Sequence, residues 1–238
     1  MKILSFDIEI TDVIDLKEGQ ELDDFAPFHI SVAATAVHNG EKRWWLTEGE
    51  TGEPEFNMSQ QDAQMMLQYL AEKQREGYMI CAWNGLGFDF RWLGFQAGNQ
   101  ALAAEIAMGS YDPMFQFFTA RGFPISLASA AKGMGIEQEK LMSGADAPKE
   151  WADGEYDLVK EYVMGDCEIT NQVVAAIAEQ NGVHWITRRG QKKSQRMELE
   201  PVAKVLEYPM PDQSWMEAPI PREKFSGWAE ELVEDRSR

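Results

Sequence analysis

An α/β fold, a mixed β-sheet with helical cover, is the class this chain predicts, and three observations predict it. A dense apolar strand opens the sequence at residues 3–10, ILSFDIEI. Two strand-like runs, residues 29–38 and 43–46, then flank Asn39-Gly40, a strong hairpin signal, so three neighbouring strands come first and the last two are antiparallel. A helical stretch over residues 59–76 leads into another apolar strand at 78–83, the alternation that builds a sheet covered by helices.

Successive side chains of a strand point to opposite faces, so Leu4, Phe6, Ile8 and Ile10 share one face while Asp7 and Glu9 share the other. So apolar a strand belongs in the middle of a sheet, where a carboxylate is costly unless a cation or strong donors meet it. Taken alone, the same residues also fit an edge strand whose two acids face water, and that is the commoner case.

Residues 11–28 carry Asp12, Asp15, Glu18, Glu21, Asp23 and Asp24, which predicts an exposed acidic loop with a solvated face. The small and β-branched residues of HISVAATAVH predict a buried strand. Ser59, with Asp62 three residues on, is a variant capping box; Ala63, Met66, Leu67 and Leu70 follow at helical spacing as core, and Gly77 ends the helix.

The strand at 78–83 runs directly into Asn84-Gly85-Leu86-Gly87-Phe88-Asp89. The two glycines predict a tight turn where backbone approaches a ligand closely, and helical spacing resumes at Phe88 with Trp92, which places Asp89 in a first helical turn. Asp89 as a partner of the helix dipole and Asn84 as the closing residue of the turn explain both equally well. A strand end followed by a glycine turn and a helix is nonetheless where open α/β sheets place ligands. Further helices are predicted over 96–108, from Asp112 as N-cap with Pro113 at the first position, and over 126–134 with Gly135 closing it. Residues 137–151 predict a loop over the sheet rim.

In the long helix predicted over 154–180, Val159, Tyr162, Asp166, Ile169, Val173 and Ile177 fall on one face. That places Asp166 in the middle of a buried stripe, one turn after Tyr162, where simple exposure is a poor explanation for an acid. From Gly182 the character changes. A short strand at 185–187 precedes Arg188, Arg189, Lys192, Lys193 and Arg196, a dense basic cluster, and Gly190 predicts a hairpin returning over 196–199. Such a hairpin either holds a nucleic-acid backbone or is merely exposed charge, and both readings stay open. Residues 201–221 predict an extended proline-rich segment with Trp215 and Met216 packed back on the body, 225–233 a closing helix, and 234–238 a frayed end.

At 238 residues the chain suits one large domain or one domain with an appendage, and its net charge of -18 argues against nonspecific nucleic-acid binding over a broad basic surface. A nuclease is not excluded, because a site built from clustered carboxylates and divalent cations is acidic by construction. Contact with any partner is expected to be confined to a small patch. The two cysteines, Cys81 and Cys167, predict reduced structural thiols. With no apolar run of about 18 residues or more and no basic, apolar leader, neither a membrane span nor a secretory signal is expected, and the expected location is cytoplasmic.

Asp7 and Glu9, Asp89 and Asp166 come from three separated segments, and their convergence would be repulsive unless hard divalent cations bind there. At these residues the sequence resembles the DEDD superfamily of 3′-5′ exonucleases. FDIEI resembles the first motif, DxE; NGLGFD the second, Nx3(F/Y)D; and YVMGD the third, Yx3D, of the tyrosine subclass. The likeness is to the exonuclease domains of B-family DNA polymerases and their freestanding relatives. It implies a ribonuclease H-like fold, a mixed β-sheet with helices on both faces, over residues 1–181, with 182–238 a C-terminal extension of basic hairpin, proline-rich segment and short helix.

The resemblance further implies that Asp7, Glu9, Asp89 and Asp166 bind two divalent metal ions, magnesium or manganese, and that Tyr162 orients the attacking water. Asn84 and Phe88 would help place the terminal nucleotide. Ile10 stands where many relatives have threonine, which bears on contacts to that nucleotide and leaves the metal ligands untouched. The histidine subclass is excluded on its own motif, because position 161 is Glu161. The expected activity is hydrolysis of single-stranded DNA or RNA from the 3′ end to nucleoside 5′-monophosphates. The alternatives are a catalytically silent nucleic-acid or protein-binding module and an endonuclease of the same fold. The acidic surface favours recruitment by a protein partner. DNA or RNA preference and the oligomeric state stay open.

Overall fold

The computed structural model of the protein describes residues 1–137 and 141–236. Strand β1, Ile3–Ile10, lies inside a four-stranded mixed sheet of order β3-β2-β1-β4, where β2 is Ile30–Val37, β3 Lys42–Trp45 and β4 Met79–Cys81. β1 runs antiparallel to β2 and parallel to β4, and β3 closes the antiparallel side. A central position explains the apolar density of β1, because both of its faces are covered.

Helices cover both faces of the sheet. On one, Leu4, Phe6 and Ile8 pack in a large core with Ala63, Met66, Leu67 and Leu70 of α1, Gln60–Arg75, with Phe90 and Leu93 of α2, Asp89–Gln96, and with Ala103 and Ala107 of α3, Gln100–Met108. Each such fully buried large side chain contributes roughly 1.5–3 kcal/mol. On the other face Val32, Ala34 and Ala36 meet Val159, Val163 and Cys167 of the long helix α7, Tyr156–Gln180. The alanines let α7 come close, with Cys167 Sγ 3.4 Å from the Ala34 carbonyl and Asn171 Nδ2 donating to Ala36 O at 2.9 Å. Both cysteines are free and buried.

Local details depart from expectation for identifiable reasons. The Ser59 hydroxyl caps α1 by accepting from Asp62 N, but the reciprocal leg runs through Thr47, whose hydroxyl accepts from Ser59 N at 2.6 Å and donates to the Asp62 carboxylate. The helix expected over 96–108 starts only at Gln100, because α2 runs on to Gln96 and Asn99 caps α3 by accepting from Leu102 N at 3.2 Å. Helix α4, Pro113–Arg121, and helix α5, Leu127–Met134, begin at Asp112 and Ser126 as expected. The loop expected over 137–151 contains a helix, α6, Ala147–Ala152, because Trp151 is fully buried against α7 and draws the segment into regular structure; residues 138–140 lie outside the described residues.

The hairpin pairs β5, Gly182–Ile186, with β6, Lys192–Arg196, so the returning strand precedes the expected 196–199. The segment after Pro201 is not wholly extended. Val202–Val205 forms a helical turn, α8, whose two valines join the large core, while Trp215 stays 63% exposed, crossing Phe123 edge-to-face and donating its indole N–H to Asp212 O at 3.2 Å, instead of packing into the body. The last helix, α9, Glu223–Arg236, starts earlier and runs further than 225–233, and it sets Phe225 and Ala229 into the same core as β1. Residues 237 and 238 lie outside the described residues. No described helix is long and apolar enough to cross a membrane.

Candidate active site

At the end of β1 lies a cleft of about 420 Å³, lined among others by Asp7, Glu9, Asp89, Tyr162 and Asp166. Strand alternation delivers Asp7 and Glu9 to the face covered by α7. β2 carries an extra residue opposite the Glu9/Ile10 step, a bulge at Ser31, whose hydroxyl donates to Glu9 O at 3.0 Å. Bulges re-aim neighbouring side chains, and this one ends the regular pairing where the cleft begins. Asp89 enters from the first turn of α2 and accepts from Ile8 N at 3.2 Å, which ties the second segment to the first.

Asp166 sits on α7 at the edge of its buried stripe. The stripe's centre is Val163, Cys167 and Val174, while Tyr162 and Asp166 are half-buried and open into the cleft. The step-of-three-and-four pattern therefore placed Asp166 about one residue's rotation too deep.

The turn between β4 and α2 is built differently from its glycine spacing. Asn84, not a glycine, takes the left-handed conformation at φ 68, which asparagine tolerates. Gly87 supplies clearance instead, since a Cβ there would lie 2.6 Å from Asn84 Oδ1 and 2.9 Å from Phe225. Asp112 caps α4 by accepting from Phe115 N at 3.0 Å and also holds the turn, accepting from Asn84 N at 3.2 Å and Leu86 N at 3.0 Å. From behind, Trp228 Nε1 of α9 donates to Leu86 O at 2.7 Å. The capping role of Asp112 was legible from Asp-Pro. Its hold on a turn so far back in the chain carried no sequence signal, and neither did the buttress from α9.

Glu9 and Asp89 are 8% and 3% exposed. Burial, reinforced by Asp89, Asp166 and Glu9, holds the Asp7 carboxyl well above the usual carboxylate range. Burial, then Asp166 and Asp89, does the same to Glu9. Asp89 is pushed up to about 7, by burial first and Asp112 second, against the Ile8 N–H and a hydrogen bond from Asp7. Asp166 is raised by burial and pulled back by the Tyr162 hydroxyl, which donates to it. Tyr162 is in turn held protonated by burial and by Asp166 and Glu9. Desolvation is the leading cause throughout, and repulsion from neighbouring carboxylates adds to it at Asp7, Glu9 and Asp89.

Asn84, Phe88 and Ile10 line the same cleft, and Leu16 and Leu22 from the acidic loop add an apolar wall that charge counting in that loop did not foretell. The loop is pinned at two points, Asp23 to Arg91 of α2 at 3.2 Å and Glu21 to Lys224 of α9 at 2.6 Å. Gly144, Ala145 and Pro148 close the opposite side. Arg188, Arg189, Lys192 and Lys193 are exposed on the β5–β6 hairpin and do not line the cleft.

The donor set suits hard divalent cations in its chemistry: clustered carboxylates, with no Lys, Arg or His among the described residues that line the cleft. Asn84 Oδ1 is buried there without a hydrogen-bond partner among the described residues. Among the described residues no group of three or more His, Cys, Asp or Glu side chains is set to hold an ion as it stands. The acids are instead engaged pairwise, Asp7 with Asp89 and Asp166 with Tyr162. Magnesium is commonly held by only one or two carboxylates together with water and substrate phosphate, so a closed cage of acids is not required for it.

No protein-family model matches the chain. No curated protein matches it either. Among solved structures it is similar to the family B DNA polymerase from the hyperthermophilic archaeon Pyrobaculum calidifontis, with 16% sequence identity and a TM-score of 0.46, over 75% of this chain. The match spans 24% of that polymerase chain.

Proposed function

We propose that the protein is a metal-dependent 3′-5′ exonuclease of ribonuclease H-like fold, acting on single-stranded DNA or RNA. One observation carries the reading: Asp7 and Glu9 from β1, Asp89 from α2 and Asp166 from α7 line one cleft, with no cationic side chain among the described residues that line it. Two divalent ions, magnesium or manganese, held by Asp7, Glu9, Asp89 and Asp166, would activate water and stabilise the leaving oxygen at the terminal phosphodiester.

The chain's own groups supply the rest. Tyr162 stays protonated at neutral pH, so its hydroxyl orients a nucleophilic water as a hydrogen-bond partner and does not serve as a base. Asn84 Oδ1 has an unused acceptor site for a sugar hydroxyl or a base N–H. Phe88, Ile10, Leu16 and Leu22 offer an apolar surface on which a terminal base packs and excludes water. Asp112 and Trp228 fix the Asn84–Leu86 turn, and so act as positioning residues.

The test is digestion of 5′-labelled single strands of DNA and RNA with magnesium or manganese. Stepwise shortening that Asp7→Ala and Asp166→Ala abolish is the expected result; intact substrate with both metals and both nucleic acids would sink the reading. One observation favours a rival, a binding module without turnover: among the described residues no group of three or more ligating side chains is set to hold an ion as it stands. Manganese calorimetry separates the two, since the exonuclease takes up metal in a carboxylate-dependent way. An endonuclease of the same fold would cut circular single strands, which the exonuclease leaves whole.

A further inference from the structure

A second pocket, of about 420 Å³, shares no lining residue with the carboxylate cleft. Three separated segments build it: α4, through Gln116 and Thr119; the end of β6 and the residues after it, 196–200; and residues 208–211, beyond α8. Met197 and Leu199 pack in a core cluster with Phe117 and Trp185, while the alternate residues Arg196, Glu198 and Glu200 line the pocket. Alternation along an extended segment thus puts one cation and two carboxylates on the same side.

The walls are held by the chain itself. Gln116 Nε2 donates to Glu198 O at 2.6 Å and its Oε1 accepts from Glu200 N at 3.2 Å, so α4 is fastened to the acidic stretch. The Tyr208 hydroxyl donates to the Glu200 carboxylate, and Arg222 Nη1 donates to Tyr208 O at 2.9 Å. Pro209 and Pro211 stiffen the third wall.

Into this frame is set a polar group with nothing to bond. Thr119 is 3% exposed, lies one turn after Gln116 on the same helix face, and lines the pocket, yet its Oγ1 has no hydrogen-bond partner among the described residues. A buried hydroxyl left unpaired is costly, and a ligand that bonds it removes the cost. Glu198 has no ion-pair partner among the described residues either. The two carboxylates, the Thr119 oxygen and the Tyr208 ring face all favour a cation rich in N–H donors, and only Arg196, exposed at the rim, opposes one.

We propose that this pocket binds an alkyl guanidinium or ammonium group. Its N–H donors are shared among Thr119 Oγ1 and the carboxylates of Glu198 and Glu200, and its alkyl stem lies against Tyr208, Pro209 and Pro211. Such a group comes either from a free polyamine or from an arginine or lysine side chain of a partner protein. The site stands apart from the exonuclease reading, because none of its residues belongs to the carboxylate cleft.

The test is an NMR titration of the isotope-labelled full chain with butylguanidinium, and with butylurea as a neutral counterpart of the same shape. Butylguanidinium is expected to shift the amide signals of Thr119, Ala120 and Glu198 saturably, and butylurea to bind roughly tenfold or more weakly. Thr119→Val, which removes the hydroxyl and keeps the shape, weakens butylguanidinium several-fold while its melting temperature holds or rises, since an unpaired buried hydroxyl has gone. Glu198→Gln, on an exposed side chain, weakens it roughly tenfold and decides the matter if the valine variant does not fold. Spermidine and an acetylated, amidated tripeptide with arginine at its centre, titrated in parallel, identify the source by which binds more tightly. No saturable shift in the native protein, equal binding of butylurea, or affinity unmoved in both variants overturns the site. The last result is what diffuse attraction of cations to a chain of net charge -18 would give.

Discussion

On one face of β1, Leu4, Phe6 and Ile8 are sealed beneath α1, α2 and α3; on the other, Ser5, Asp7 and Glu9 pass from a closed contact to an open cleft. The change along the second face follows the course of α7. Over the start of the strand Asn171 accepts the Ser5 hydroxyl at 2.9 Å and the interface is shut, whereas at Tyr162 and Asp166 the helix edge stands over the cleft. One strand thus supplies both the core and the acids, because its alternation assigns every second side chain to each task. Stability and chemistry should then be separable residue by residue.

The largest expected effect breaks that separation if it is wrong. Phe6→Ala should cost about 3–5 kcal/mol in denaturant unfolding. Asp7→Asn should lower nuclease turnover by roughly 10²–10³-fold, the scale for removing one charge-stabilising group. In chelator it should leave unfolding unchanged or slightly improved, because it removes a repelled acid. If Asp7→Asn destabilised the protein as much as Phe6→Ala does, the acid face would be structural.

The same contrast has a pH signature. Asp89 titrates at about 7 and Asp112 at about 6 in the folded protein, against 3.8 as the ordinary value of both. The folded state keeps these protons to higher pH than the unfolded chain does, so their contribution to stability is present at about pH 4 and is lost as pH rises through 6 to 7. Thermal melts in chelator should therefore fall across that window, by on the order of a few kcal/mol in total. Manganese at pH 7 should restore much of the loss by taking the place of the protons, and a melting curve indifferent to pH and to manganese would falsify the account of the acid face.

Asp112→Asn probes the turn rather than the acids. With one of two carboxylate oxygens replaced by a donor, it should cost about 1 kcal/mol in unfolding and reduce turnover through misplacement of Asn84. Loss of stability with unaltered turnover would deny Asp112 its positioning role. Smallest of all, charge reversal at Arg188, Arg189, Lys192 and Lys193 should weaken strand binding several-fold at low salt and flatten its salt dependence, with melting unmoved. Equal affinity at low salt would leave the hairpin as solvated charge.

How much was readable in advance varies with the range of the interaction. β1, β2 and the Asn39-Gly40 turn were legible because hydrophobic alternation and turn chemistry are local. The cap at Asp112 and the end of α5 at Gly135 were legible for the same reason. The break at residues 97–99 was missed, since Gly98-Asn99 lies within an otherwise continuous apolar pattern and only packing of α3 against α2 resolves it. The helix α6 was hidden in a polar, proline-punctuated stretch because its reason for forming is Trp151, whose burial site is made by other elements.

What the amino-acid sequence determined by itself is the supply of groups: two acids on one face of an apolar strand, an acid at a strand-to-helix turn, and an acid one turn from a tyrosine on a long helix. Tertiary structure alone decided their setting. It placed Asp166 at the edge of its stripe, gave the left-handed position to Asn84, and used Asp112 and Trp228 to hold a turn from distant parts of the chain. It also drew Phe225 and Ala229 of the C-terminal helix into the core beneath β1 and left the basic hairpin outside the lining of the cleft. The physical reason is range. Periodicity and capping act within a few residues, whereas desolvation, repulsion among acids and the buttressing of a turn exist only once segments far apart in sequence are in contact.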